Sequence, residues 1–283
     1  MKRAAVVIAV LGMCVCGWAQ DKPAGQTAPA GQAAAAAPQG KRPPQAKTQP
    51  EFEAYKTAIA LSDPAAVEKA ADDFATKFPD SELRVVLYKA AMQKYQMANN
   101  ADKMESMARK ALTLDPDDPE ALVGVAQVLA ETTHDTDLDK DQKIDEAKKD
   151  AERALVTVDT DVPTAGYPPE KIDQFKRYIK SEAYAILGTL ASNAKNWPDA
   201  ETNLKKSIDA FPEQVDSVAV LRLAVALDMQ NKVPDALKYA NQAVDLTKDR
   251  PDSPAGKAAR AEQDRLTKLS SGTAPGQPAP QKN

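Results

Sequence analysis

The chain has 283 residues, of which 43% are hydrophobic, 28% charged and only 5% aromatic, with a formal net charge of −4. So few aromatic side chains are thin for one thick globular core, and low Gly with high Ala favours close-packed helices over sheet. The acidic balance argues against a nucleic-acid partner.

Met1–Gln20 has a basic start at Lys2 and Arg3, an apolar run from Ala4 to Cys16, and small residues at Gly17 and Ala19. This is the pattern of a secretory signal peptide over residues 1–19, too short for a membrane span. It predicts export, to the periplasm or outside the cell, with a lipid-modified Cys14 or Cys16 as the alternative. Cleavage after Ala19 removes both cysteines and takes the charge from −4 to −6. No disulfide framework is then possible, so stability must come from helix packing. Residues 20–50 are rich in Pro, Ala, Gly and Gln and nearly free of bulky apolar side chains. Such a segment cannot bury enough surface to offset its ordering entropy and is expected to be a disordered linker.

The helical region is expected over residues 51–269. Glu51–Leu61 and Pro64–Lys77 read as a first, degenerate helix pair (residues 51–84), with Asp63 as N-cap and Pro64 at the first helical position. Its register is ambiguous, because either Val67 or Ala70 could face the partner helix. A second pair spans residues 85–118, and a third residues 119–162, opened by Asp118 as N-cap and Pro119. The third carries an insertion around Thr132–Gln142. Val156–Pro169, with Pro163, Gly166, Pro168 and Pro169, is a break. Lys171–Lys180 extends the helix that becomes Ser181–Asn193. Pairs follow at residues 181–214 and 217–250. A charged last helix from Ser253-Pro254 to about Leu269 reads as a cap, and residues 270–283 as a disordered tail.

Ser181–Pro212 shows the unit most clearly. Tyr184, Leu187, Gly188 and Ala191 share one helical face. Gly inside a helix costs roughly 0.5–1 kcal/mol relative to Ala, so Gly188 implies a second helix passing close by. Asn193–Trp197 makes the turn, and Ala200, Leu204 and Ser207 form the facing stripe. Leu223-Ala224 and Val233–Ala236 lie 36 residues beyond their counterparts at Leu187-Gly188 and Trp197–Ala200. In Val85–Asp118 the same places hold Tyr88, Ala91, Tyr95, Ala108 and Ala111, with bulkier Met92 and Met104 where small residues are expected.

This unit resembles the tetratricopeptide repeat (TPR), a 34-residue helix–turn–helix motif. The resemblance implies an all-α, right-handed helical-repeat solenoid, with disordered segments at both ends. It also implies a concave groove lined by repeat positions 2, 5, 9 and 12. Carried over, the groove residues are Val86, Lys89, Gln93 and Gln96, then Glu120, Val123, Gln127 and Ala130. The later units give Glu182, Ala185, Thr189 and Ser192, then Val218, Leu221, Val225 and Asp228. The peptide-carboxylate clamp of some relatives is not matched, because Gln93 stands where Asn would.

Other chemistry is sparse. Asp135, Asp137, Asp139 and Glu146 have the spacing of a calcium loop, but Lys140 replaces the turn-forming Gly. The alternative is a solvated acidic loop at a helix start. His134 is the only histidine, so no zinc site can be completed around it. Ser192-x-x-Lys195 lacks the companion motifs of Ser–Lys catalysis. The expectation is a non-enzymatic protein-interaction scaffold of the bacterial cell envelope that takes a peptide or protein partner, with no cofactor. The alternatives are an envelope enzyme with an unrecognised site and a calcium-stabilised structural protein.

Overall fold

A computed structural model describes residues 41–271; the signal-peptide reading, most of the linker and most of the tail lie outside them. Among the described residues there are helices and no strands. The helices are α1 Gln49–Ile59, α2 Pro64–Lys77, α3 Leu83–Met97, α4 Ala101–Leu114, α5 Pro119–Thr132, α6 Lys140–Thr157, α7 Pro169–Asn193, α8 Trp197–Ala210, α9 Ser217–Asp228, α10 Val233–Leu246 and α11 Pro254–Ser270. The chain divides into two compact units. The first holds the described residues up to Thr132 together with Glu152–Ile179, and the second Thr133–Ala151 together with residues 180–271.

In the first unit α3 packs on both α2 and α4, and α5 on α4. In the second, α9 packs on α8 and α10, and α11 closes over α10 and α9. These are successive helix pairs that pack on their neighbours. Many of the helix starts carry a side-chain cap, though α3 and α10 do not. Asp63 accepts from the Ala66 N–H at 2.8 Å, Asn100 from Lys103 at 3.1 Å, Asp216 from Val218 at 3.0 Å and Ser253 from Gly256 at 3.1 Å. Each such side chain satisfies one of the donors a helix start leaves unpaired.

The same turn closes three pairs. Asn99, Lys195 and Asn231 have φ of 55°, 58° and 60°, and each immediately precedes the N-cap of the second helix. Left-handed backbone at this point reverses the chain. It lets the next N–H reach back five residues to the first helix: Asn100 to the Tyr95 carbonyl at 3.0 Å, Asn196 to Ala191 at 2.9 Å, Lys232 to Leu227 at 3.0 Å. Asn tolerates that conformation, whereas Lys195 adopts it against its steric preference.

Beyond the turn the helices approach closely. A Cβ added to Gly188 would lie 2.6 Å from the Leu204 Cγ, so the glycine is required by the partner helix, as its spacing implied. In the first unit Met92 is bulky where a small residue was expected. The compensation lies in the next pair, where a Cβ on Gly124 would lie 2.7 Å from the Met92 Sδ and 3.4 Å from the Ala108 Cβ. The second unit's core is mostly alanine at the contacts, Ala200, Ala224, Ala236 and Ala240, filled out by Leu204, Leu223, Leu227 and Leu266. Burying one such leucine contributes about 1.5–3 kcal/mol. Leu266 and Ala259 are the buried side chains by which α11 seals the stack.

The linker expectation fails over its last residues. Residues 41–48 are laid along the first unit through Lys41 and Arg42, and Thr48 caps α1, which begins at Gln49 rather than Glu51. The segment has too little apolar surface to be recognised as ordered, and polar contacts hold it.

A half-buried carboxylate locks the second helix of a pair to its surroundings. Glu68 and Glu201 stand at the same place, five residues after the N-caps Asp63 and Asn196. Glu68 receives the Tyr95 hydroxyl and Lys103 Nζ, the latter at 2.8 Å. Glu201 receives Lys205 and Lys232, both at 2.7 Å, and Gln230 at 2.9 Å. Burial favours the neutral acid at Glu201, yet these hydrogen bonds outweigh it and hold the carboxyl at about 2, against an ordinary 4.5. A carboxylate depressed in the folded state stabilises above its ordinary pKa and loses that contribution as pH falls through the folded value. Glu201→Gln is therefore expected to cost about 1–2 kcal/mol at pH 7, after discounting for its solvent-screened lysines. The deficit, followed by urea unfolding, should shrink between pH 4.5 and 2 and vanish below.

Candidate partner-binding face

The first helices of successive pairs carry the residues assigned to a groove, and the two units treat them differently. In the first unit they pair with one another. Asp118 caps α5 through the N–H groups of Glu120 and Ala121, at 3.1 and 2.9 Å. Its other oxygen receives Lys89 Nζ at 2.8 Å, and Glu120 receives the same ammonium at 2.9 Å. Gln93 donates to Glu120 at 2.5 Å, and Gln96 to Gln127 at 3.4 Å.

The result is a polar ladder from α3 to α5. Its ionic rung is largely covered, with the side chains of Lys89, Asp118 and Glu120 exposed by 18%, 9% and 12%. Burial penalises the ammonium of Lys89, but Asp118 and Glu120 more than offset it and hold its pKa above the ordinary lysine range. Val123, Gln127 and Ala130 are buried, and α5 is closed from Ala121 to Ala130. The expectation that Val123 and Gln127 line an open groove is thereby corrected. Lys89, Glu120, Gln93 and Gln96 spend their hydrogen-bonding capacity between the helices, and Val86 remains half-buried.

In the second unit the corresponding face is more apolar. Ala185 and Thr189 are buried on α7, and the Thr189 hydroxyl donates to the Ala185 carbonyl at 2.8 Å while accepting from Arg222 at 3.0 Å. Glu182 on the same helix is half-buried. On α9, Val218, Leu221 and Val225 are half-buried at successive helical turns. Leu221 rests against the cluster of Val220, Ala243 and Ala259. Asp228, at the end of that row, is taken by Arg265 of α11 at 2.5 Å.

The ladder contacts could have been read from the repeat. Lys89 at position 5 and Glu120 at position 2 of the next unit carry opposite charge at the register where first helices meet. Arg222, at position 6, was missed because the groove assignment passes over that position.

The acidic insertion does not gather its carboxylates. Asp135 is paired with Lys140 at 2.7 Å and Asp139 with Lys143 at 3.0 Å, while Asp137 accepts from the His134 N–H at 3.1 Å. Among the described residues no group of three or more acidic, His or Cys side chains is arranged to hold a metal ion. The calcium spacing of Asp135, Asp137, Asp139 and Glu146 is thus not realised, because Lys140, standing where the turn Gly would be, turns onto the first carboxylate. Ser192 donates to the Gly188 carbonyl at 2.8 Å, and Lys195 occupies the left-handed turn position. That is a helix-end arrangement.

No protein-family model and no curated protein matches the chain. Among solved structures it is similar to PilW, a widely conserved type IV pilus biogenesis factor, at 17% identity over 75% of this chain and 99% of that one, with a TM-score of 0.39. It is similar to Acl4, the assembly chaperone of RpL4, at 13% identity over 78% of this chain and 99% of that one, with a TM-score of 0.39. A third likeness is the TPR2AB domain of yeast Sti1 in its pHSP90 complex, at 14% identity over 77% of this chain and 81% of that one, with a TM-score of 0.29.

Lys89→Met should leave Asp118 and Glu120 facing each other without their shared cation, at a cost of about 2–4 kcal/mol in urea unfolding. A raised lysine pKa means the contribution is complete below the ordinary value of about 10.4 and lost only as pH rises through the folded value. The deficit of the variant is therefore expected to be constant from pH 6 to 9.

Proposed function

We propose that the protein is a non-enzymatic protein–protein interaction scaffold of the bacterial cell envelope. The partner is a peptide or protein that lays apolar side chains against the first-helix face of the second unit. The observation that carries this reading is the row Val218, Leu221 and Val225 on α9, three apolar side chains on one helical face that the unit leaves half-covered. Contiguous apolar exposure is what marks an interaction surface, whereas isolated exposed residues are ordinary. Glu182 on α7 is half-buried, on the same helix as the buried Ala185 and Thr189.

The first unit's Lys89–Glu120 face is given a structural role in this proposal, since its polar groups already satisfy one another. The envelope setting rests on the sequence pattern of Met1–Gln20. Among the described residues no helix is long and apolar enough to cross a membrane.

A photo-crosslinking residue placed at Val225, compared with one at the exposed Lys238 of α10, tests the assignment in cells of the source organism. The expected result is a discrete adduct from position 225 and none from 238, removed by Val218→Asp with the helical circular dichroism unchanged. Equal adducts from both positions, or adducts only from 238, would reject it.

A further inference from the structure

The first unit carries a second surface, built from its loops. Three loops meet there: the α2–α3 loop with Asp80 and Glu82, the α4–α5 loop with Asp115, and the α6–α7 connection with Thr160 and Asp161. The chain's own segment Lys41-Arg-Pro-Pro-Gln-Ala-Lys47 lies across all three. Lys41 donates its backbone N–H to the Thr160 carbonyl at 3.2 Å, and its ammonium sits 2.5 Å from Asp115 and 3.7 Å from Asp161. The Arg42 guanidinium forks onto both oxygens of Glu82, with one bond of 2.8 Å. Gln45 donates its N–H to Glu82 at 3.3 Å, and Lys47 Nζ reaches the Asp80 carbonyl at 2.7 Å.

Three features make this segment a ligand of the edge rather than part of the core. It contains no side chain of the buried core; its apolar residues are Pro43, Pro44 and Ala46, all only partly covered. Its cations are open to solvent, with Lys41 and Arg42 exposed by 41% and 64%, while the anions that receive Lys41 are better covered, at 18% for Asp115 and 24% for Asp161. The covered partners belong to loops fixed by the packed helices, so the receiving side is built without the strap. Pro43-Pro44 presets an extended backbone, which lowers the ordering cost of docking. A guanidinium fork on a carboxylate is specific in geometry, but exposed ion pairs are individually weak and screened by salt.

We propose that this edge is a binding site for a basic, proline-containing extended segment of a partner protein, and that residues 41–47 occupy it in cis and hold it closed. The site uses none of the residues of the α9 row and does not depend on that reading. A partner segment of the same chemistry competes with the strap for Glu82, Asp115 and the Thr160 carbonyl. Its binding is paid for by releasing the strap.

The test uses the full chain and a fluorescent KRPPQAK peptide, followed by anisotropy at low salt. Lys41→Ala with Arg42→Ala should empty the edge and tighten peptide binding at least tenfold over wild type. Adding Glu82→Gln and Asp115→Asn should abolish it, and raising the salt should weaken it. Val218→Asp should leave it unchanged, which separates this site from the α9 face. Peptide binding no tighter in the emptied variant, or retained after loss of the two carboxylates, would overturn the proposal. Hydrogen exchange on the wild-type chain is a second readout. Amides of residues 41–47 should lose protection with salt while those of α3 and α5 keep theirs; joint loss or joint retention would equally overturn it.

Discussion

The close approach of α7 and α8 sets the geometry of the second unit. Leu204 reaches over the backbone at Gly188, where a single added carbon would lie 2.6 Å from its Cγ. Interiors packed to crystal density leave no slack for such an atom. The helix accepts the intrinsic cost of glycine because the leucine side chain gains contacts that no other residue at 188 would permit. In the first unit the crossing is solved differently. Met92 fills the space and Gly124 yields it one pair later. The spacing of the helices is thus fixed by where a side chain is omitted rather than by any one large residue.

The turns and the carboxylate locks hold that spacing in register. Left-handed residues at Asn99, Lys195 and Asn231 reverse the chain within a few residues of each crossing. Glu68 and Glu201 then tie each second helix to lysines of the following turn or helix. In the first unit the ladder of Lys89, Glu120, Gln93 and Gln127 extends the same logic to the first helices. Polar groups that are almost covered must be satisfied by one another, since an unpaired one costs more than a made bond contributes. That requirement closes the face of α5. On α9, by contrast, Val218, Leu221 and Val225 are apolar and half-buried, and Leu221 packs on Val220, Ala243 and Ala259.

Much of this was legible in the sequence. The helices α3, α4, α8 and α10 follow from small residues at fixed spacing, and α2 starts where Asp63-Pro64 marks it. Gly188 and Asp118 did what their local chemistry requires. The groove of the first unit was not legible, because repeat positions say which face a side chain shares and not whether its neighbours already satisfy it. Val123 is apolar whether it is exposed or buried. The ordered strap at residues 41–48 escaped notice for a related reason. Its order comes from charges on three loops distant in sequence, and composition alone reads Lys-Arg-Pro-Pro-Gln as a linker. The acidic insertion misled in the opposite direction, since ligand spacing carries no information about the lysines that turn back onto Asp135 and Asp139.

The Gly188–Leu204 contact fixes the packing of α7 on α8, and a double-mutant cycle between these residues tests it directly. Gly188→Ala is expected to destabilise the wild-type chain by about 1–3 kcal/mol, as overpacking does. In the Leu204→Ala background the clash is relieved, and the same substitution should be neutral or stabilising by up to about 1 kcal/mol, the ordinary helix preference for alanine. An identical effect of Gly188→Ala in both backgrounds would show that the helices do not meet there, and would contradict the packing on which the rest is built.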